Sequence, residues 1–458
     1  MSLEKILSAK EQRAEMRQKF AQKGFASISL SLNIPSYPKS NEEIKKFFLL
    51  IKTELEDYFL AHRILLVKQE EITLTDSAGD FFIVPIASQL KDILKIKALC
   101  ELFEIGNSLG RIIDIDVVDS KGNPVSSGKL KKCFLCDLPA IECMRNANHT
   151  KQELRNYIEK QIVGYLYRDK LKNAKTKLSA YATQSLLYEV SLSPKPGLVH
   201  RFGSGCHTDM DFFSFINSSS VLSTYWQEII ELAYNTTLNI EESRIVLRKT
   251  GIAMERSMLQ FTGKVNTQKG AIFIIGTMVF VIAKLIASDK EICDKNIRAL
   301  IAELHKDILH DELLRQKNSV ASHGVKNYRN YGEENGGGIR KEVALGFPVL
   351  FDDALPVIRG LMNGRSFILN EETTQRILTK ILLKIISKNS DSNIIFRSDV
   401  ETLKQLQNIA KECFYQENEF VSNYNELQDF CINKNISPGG SADLLAATIF
   451  IYQTQQNL

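Results

Sequence analysis

The sequence is short of the features that commit a chain to nucleic acid, to a membrane or to export. Its 58 Lys and Arg nearly balance 54 Asp and Glu, for a formal net charge of +4 over 458 residues, so the basic surplus of a dedicated nucleic-acid binder is missing. The longest apolar run, Ala271 to Ala283, falls short of the roughly 20 residues a spanning helix needs, and Lys269 and Lys284 bracket it. It reads as a buried helix. The opening Met-Ser-Leu-Glu-Lys-Ile-Leu-Ser-Ala-Lys interleaves charges where a secretory signal needs an apolar core, so a cytoplasmic location is expected. With 10 Pro and 44% hydrophobic residues the chain is neither collagen-like nor wholly disordered. At about 150 residues per domain its length suits two or three domains. Cysteine is sparse, eight in all, yet three fall between Cys133 and Cys143.

Two textures succeed one another along the chain. The first part is mixed: a helix over Leu3–Gln22, a period-two strand over Ile28–Ile34 and a helix over Asn41–Leu60 are expected. Further strands are expected at Ile64–Lys68, Ile72–Thr75, Phe81–Ile86, Ala98–Ile105 and Ile112–Val118. From about residue 178 helical periodicity takes over, at Phe212–Tyr234, Ile240–Gln260, Ala271–Ala287, Ile292–Leu313, Glu372–Lys388 and Asp443–Gln453. The Lys/Arg-rich stretch 168–178 reads as a solvated linker at the end of a helix. The expected fold is an α+β domain over 1–167 followed by an all-α domain over 179–458.

In Gly110-Arg-Ile-Ile-Asp-Ile-Asp-Val-Val118, alternation puts Asp114 and Asp116 on one face of a strand. Two carboxylates so placed can hold Mg²⁺ for phosphate chemistry, or can form the polar face of an exposed hairpin. The Gly106-Asn-Ser108 loop adds a weak phosphate-binding signal. Cys133-x2-Cys136-x6-Cys143-x5-His149 has the ligand types and short spacings of a zinc site, with buried or reactive thiols as the other reading.

Taken with Ala9-Lys-Glu-Gln-Arg13, Arg17-Gln18, Asn33-Ile-Pro35 and Lys39, these motifs resemble the apo-citrate lyase phosphoribosyl-dephospho-CoA transferases, CitX, across residues 5–165. The resemblance implies a nucleotidyltransferase-like domain that attaches a prosthetic group to a serine of the citrate lyase acyl-carrier (gamma) subunit and releases pyrophosphate. It also implies Asp114 and Asp116 as metal ligands and Lys39, Arg111 and Arg145 as phosphate contacts. Ser36 stands where that family's pattern has Gly, and Lys132 where it has Arg; both leave the Asp pair intact.

The second part gathers polar residues in loops that precede helices. Lys195, Arg201, His207, Asp209 and Asp211 crowd the loop between Pro194 and Phe212, although Asp209 or Asp211 can simply cap the helix that follows. Asn266 and Lys269 immediately precede the apolar helix, where backbone N–H groups can receive an anion. Asn335-Gly-Gly-Gly-Ile-Arg340 and Ser437-Pro-Gly439-Gly440-Ser-Ala-Asp443 are two more glycine-rich approaches to helices. Several such loops in one domain, with Lys and Arg nearby, suit a polyphosphate ligand. Glu255, Ser322-His-Gly324 and Asp391 to Arg397 add further polar candidates.

In order and character, these clusters resemble the triphosphoribosyl-dephospho-CoA synthases, CitG, over residues 180–455; His200, Gln268, Ser322 and Ser392 depart from that family's pattern. The resemblance implies ATP and 3′-dephospho-CoA as substrates, joined with loss of adenine. For such a glycosyl transfer Asp209, Asp211 and Glu255 are the carboxylate candidates and His207 the candidate acid. Lys195, Arg201, Lys269 and Arg340, with Mg²⁺, would anchor the triphosphate, with Asn266, Gly439 and Gly440 beside it. The whole chain then reads as a bifunctional transferase with no nucleic-acid or membrane partner. The competing expectations are the equivalent synthesis for malonate decarboxylase and a zinc-bearing nucleic-acid-binding protein.

Overall fold

The computed structural model describes residues 3–87, 93–126, 128, 131–306, 338–367 and 370–458. The chain divides into two compact units, Met1–Asp169 and Lys170–Leu458.

The alternation Ile28-Ser-Leu-Ser-Leu forms strand β1 (Ser27–Leu32), which lies near the middle of a sheet. Strands β2 (Ile72–Asp76), β3 (Gly79–Pro85), β4 (Ile113–Val118) and β5 (Pro124–Val125) complete it in the order β2-β3-β1-β4-β5, every pair antiparallel. The register sets Ile28 against Val117 and Leu30 against Ile115, and this face packs with Phe47, Phe48 and Ile51 of α2 (Glu42–Ala61) and with Ile158 and Ile162. Each such side chain, fully buried, contributes roughly 1.5–3 kcal/mol. On the opposite face Ser31 pairs with Asp114 and Ser29 with Asp116, while Phe81 and Ile83 receive Phe20 and Met16 of α1 (Leu3–Gln22).

Three expectations for this unit change. Residues 98–105 lie within a helix, α3 (Ile93–Gly106), because the buried Ile96 and Cys100 are spaced four apart on one face. The run at 64–68 contributes only the isolated bridge Leu66–Ile86 and leads into a 3₁₀ turn. The Gly106–Ser108 loop follows a helix C-terminus, the end that repels anions, and Asn107 is spent on Leu109 N and the Tyr165 hydroxyl. Gly110 is required here, since a Cβ would sit 1.5 Å from the Glu104 carbonyl oxygen.

The Lys/Arg-rich stretch 168–178 does not end a helix. After the short α4 (Ala140–Arg145), it lies inside a continuous 41-residue helix, α5 (Lys151–Ser191), through which the chain passes from one unit to the other.

Every named element of the second unit is helical. Its central helix, α9 (Lys269–Ala287), is long and apolar enough to cross a membrane by length and composition alone. It is buried from Ala271 to Leu285 except at Phe273 and Lys284, packed on α7 (Trp226–Tyr234), α8 (Ile240–Phe261), α10 (Asp294–His305) and the helix Gly439–Asn457, with α6 (Phe212–Leu222) preceding them in the chain. A helix apolar all round belongs in such a core. The expected Phe212–Tyr234 helix is two, Phe212–Leu222 and Trp226–Tyr234, and the helix expected at Asp443 begins earlier, at Gly439. The helix expected over 292–313 spans Asp294–His305; its remainder beyond 306, with Ser322-His-Gly324 and Asn335–Gly337, lies outside the described residues.

Candidate active sites in the two units

In the second unit an open-mouthed cleft lies where three glycine- or proline-marked segments converge. Its walls are the loop carrying Lys195, Leu198 and His207, the start of α9 from Asn266 to Ala271, and the start of the helix Gly439–Asn457. Two helix N-termini and the cations Lys195, Lys269 and Arg397 thus face one space, an arrangement that favours an anion. Arg397 forms no ion pair with any described residue. The Thr267 hydroxyl, also on the wall, is buried without a hydrogen-bond partner.

Three ionisable side chains with strongly shifted protonation line this cleft, two of them, Lys195 and Glu189, fully buried. Lys195 is ion-paired with Glu189, from the end of α5, both inaccessible to water. Burial pushes the Lys195 ammonium down and the Glu189 carboxyl up, while their mutual attraction opposes each shift. Asp443 is raised well above the ordinary carboxylate value by burial first, then by Glu189 and Asp391; a hydrogen bond from Ala271 N–H and the charge of Lys195 oppose this. Asp391 is itself buried and braces the adjoining turn, accepting from Ser441 N and Asn393 N at 3.0 Å each.

His207 reaches the cleft, with Nε2 2.9 Å from Ser437 Oγ. Burial and then Arg397 lower its pKa, with Asp209 opposing from 3.7 Å. That favours a neutral imidazole, better suited to accepting a proton than to the acid role expected of it.

Of the residues singled out by sequence, Lys195, His207, Asn266, Lys269 and Gly439 meet at the cleft. Asp211 is a helix cap that accepts from Ser214 N at 2.9 Å in a reciprocal capping box, and those Ser214 bonds push its pKa down. Asp209 is exposed, and Glu255 bonds Lys269 Nζ at 2.5 Å. Arg201 is paired with Glu371 at 2.7 Å, and none of these four lines the cleft. Gly440 packs under Asp391, and the side chain of Arg340 lies outside the described residues. Glu189 and Asp443 were not among the expected site residues; the signal for Asp443 was its place one turn into the Gly439-Gly440 helix.

In the first unit Asp114 and Asp116 share the sheet face covered by α1, and each draws a cation. Lys131 Nζ lies 2.5 Å from Asp114 Oδ1, and Arg17 Nη2 lies 3.0 Å from Asp116 Oδ2 while also donating to Ser29 Oγ. Both carboxylates, oxygen ligands of the type a divalent cation takes, are thus paired with cations of the chain itself. Among the expected phosphate contacts, Arg111 donates to the Lys132 carbonyl and stacks on Phe134, and Lys39 donates to the Ile34 carbonyl at 2.6 Å. Arg145 is exposed.

The Sγ atoms of Cys133, Cys136 and Cys143 and a ring nitrogen of His149 all lie within 4.8 Å of one another. Burial raises the Cys133 thiol, but N–H donors from Leu135 and Cys136 and the neighbouring thiols outweigh it and bring the value to about 6.

A family model described as ATP:dephospho-CoA triphosphoribosyl transferase (CitG) matches residues 175–458, and one described as apo-citrate lyase phosphoribosyl-dephospho-CoA transferase (CitX) matches residues 1–165. The chain is 29% identical to Protein CitXG of Leuconostoc mesenteroides subsp. cremoris, over 95% of this chain and 94% of that protein. It is 28% identical to Protein CitXG of Haemophilus influenzae, over 100% of this chain and 97% of that protein. Its second part is 33% identical to the 2-(5''-triphosphoribosyl)-3'-dephosphocoenzyme-A synthase of Escherichia fergusonii, covering 58% of this chain and 88% of that enzyme.

Proposed function

Since the chain belongs to the CitG family over residues 175–458 and carries a CitX domain over residues 1–165, we propose that its two units perform successive steps on one molecule. The chain is a bifunctional transferase of citrate lyase prosthetic-group biosynthesis, and the matches favour this over malonate decarboxylase or a nucleic-acid role.

The observation that carries the synthase reading is the cleft lined by Glu189, Lys195 and Asp443, at which two helix N-termini converge. Lys195, Lys269, Arg397 and those N-termini would hold the triphosphate of ATP, which this reaction retains. The 2′-oxygen of dephospho-CoA attacks the anomeric carbon of the ATP ribose as the bond to adenine breaks. Neutral His207 would accept the hydroxyl proton, and Asp443, whose burial favours retention of its proton, would deliver one to the departing adenine. These roles replace Asp209, Asp211 and Glu255 as the carboxylates of the reaction. Adenine release from ATP and dephospho-CoA, followed chromatographically, tests the assignment: Asp443→Asn should abolish it, and unchanged release would remove Asp443 from the chemistry.

In the first unit, read as nucleotidyltransferase-like, the carrier serine hydroxyl attacks the α-phosphorus of the triphosphoribosyl product and pyrophosphate leaves. Asp114 and Asp116 would hold a divalent cation, which when bound neutralises charge on the leaving pyrophosphate. Arg17 and Lys131, ion-paired with the two carboxylates, would turn to the same phosphates. We read the acyl-carrier subunit as the protein partner and the cytoplasm as the place of action. Domain limits of 1–167 and 179–458 fit this division of labour, with 168–178 as the helical passage between them.

A further inference from the structure

The Cys133–His149 cluster takes no part in either reaction, yet it is the most chemically specific group in the first unit. We propose that Cys133, Cys136, Cys143 and His149 bind a structural zinc ion.

The geometry is that of a ligand set. With zinc–sulfur bonds of about 2.3 Å, the edge between two sulfurs of a tetrahedral site is about 3.8 Å. Cys136 Sγ and Cys143 Sγ are 3.8 Å apart, Cys143 Sγ and Cys133 Sγ 3.3 Å, and all four candidate atoms fall within 4.8 Å of one another. A disulfide would bring two sulfurs to about 2.05 Å and leave the third thiol and the histidine without purpose. His149 adds an independent sign: its Nε2 is buried and has no hydrogen-bond partner, a costly state that a metal bond removes.

The segment also needs a cross-link. Between residues 131 and 149 Cys143 alone is buried, while Leu135, Leu138, Ile141 and Met144 are exposed. The only helix is the six-residue Ala140–Arg145, too short to hold itself. Cys133 N donates to Leu138 O at 2.8 Å and Ala140 N to Lys131 O at 2.8 Å, closing a tight turn that presents the first two thiols together. Apolar burial cannot fix such a segment, whereas a metal bound only by the folded form can. Binding exchanges up to three thiol protons for the metal and leaves a neutral imidazole as fourth ligand. The turn carries Lys131 to Asp114 and offers the Lys132 carbonyl to Arg111, so zinc would order one wall of the carboxylate pair.

The test uses the full chain, purified without chelator. One tightly held zinc per chain is expected by elemental analysis, and cobalt(II) in its place should give the intense visible bands of a tetrahedral thiolate site. Cys143→Ser should lose both signals while adenine release persists, which shows that the second unit is folded, and while the far-ultraviolet circular dichroism of the whole chain stays unchanged, which shows that the first is. If that variant does not fold, titration of wild type with a mercurial should release zinc in step with modification of three thiols. Trace zinc in wild type with no cobalt bands, a Cys133–Cys143 disulfide by intact mass, or full zinc retention by folded Cys143→Ser would each overturn the site.

Discussion

Asp443 Oδ2 occupies the space beside Gly270 where any side chain would begin: a Cβ built on Gly270 would lie 1.9 Å from that oxygen. The start of α9 and the start of the helix Gly439–Asn457 thereby meet at the cleft, where the Ala271 N–H favours the ionised form of the Asp443 carboxyl. The glycine at residue 270 thus serves the position of the carboxyl rather than a turn.

Gly270→Ala is expected to push Asp443 aside by about an ångström, a displacement worth roughly 100-fold in rate at a reacting group. Adenine release should fall by that order, whereas transfer to the carrier from triphosphoribosyl-dephospho-CoA supplied ready-made should be unchanged. Parallel assays of the two half-reactions check this.

Asp211→Ala separates a cap from a catalyst. Loss of the capping box should cost about 1 kcal/mol of stability, visible as a lower unfolding midpoint, with adenine release altered by no more than a small factor. A collapse of turnover in a folded variant would return Asp211 to the chemistry.

In the first unit, Asp114→Asn is expected to cut carrier labelling by about 100-fold or more, since a catalytic metal is worth several kcal/mol. Adenine should still be released and the triphosphoribosyl product should accumulate, as measured by liquid chromatography of the small molecules.

His305, at the end of α10 (Asp294–His305), is buried, hydrogen-bonded to Thr277 at 3.1 Å and held at a pKa of about 4 by burial first and by Arg244 second. The unfolded chain, with an ordinary value near 6.5, therefore binds a proton in the window from about 6.5 down to 4 that the folded chain refuses. Stability should fall as pH drops through that window, by up to roughly 3 kcal/mol from this group. Denaturant unfolding of His305→Gln should show a shallower decline over the same range.

What the sequence made legible follows the physics of each signal. Strict alternation at Ile28–Leu32 admits only a strand, and the apolar run at α9 only a buried helix. The stretch 98–105 is apolar enough to suit either strand or helix, and burial at Ile96 and Cys100 settles it as helix. The helix break at Ser223–Tyr225 has no glycine or proline to announce it. Glycine-rich loops pointed to the cleft because close approach demands glycine. Glu189 escaped notice because its partner Lys195 defines it only in three dimensions, and Asp211 misled because capping and catalysis use the same residue type.

Mass spectrometry of the apo-carrier after incubation with the full chain, ATP and dephospho-CoA tests the two-step account most directly. Wild type should add one phosphoribosyl-dephospho-CoA per carrier. Asp443→Asn should add none unless the triphosphoribosyl intermediate is supplied, and Asp114→Asn should add almost none even then. Carrier fully modified from ATP by Asp443→Asn, or from the intermediate by Asp114→Asn, would contradict it.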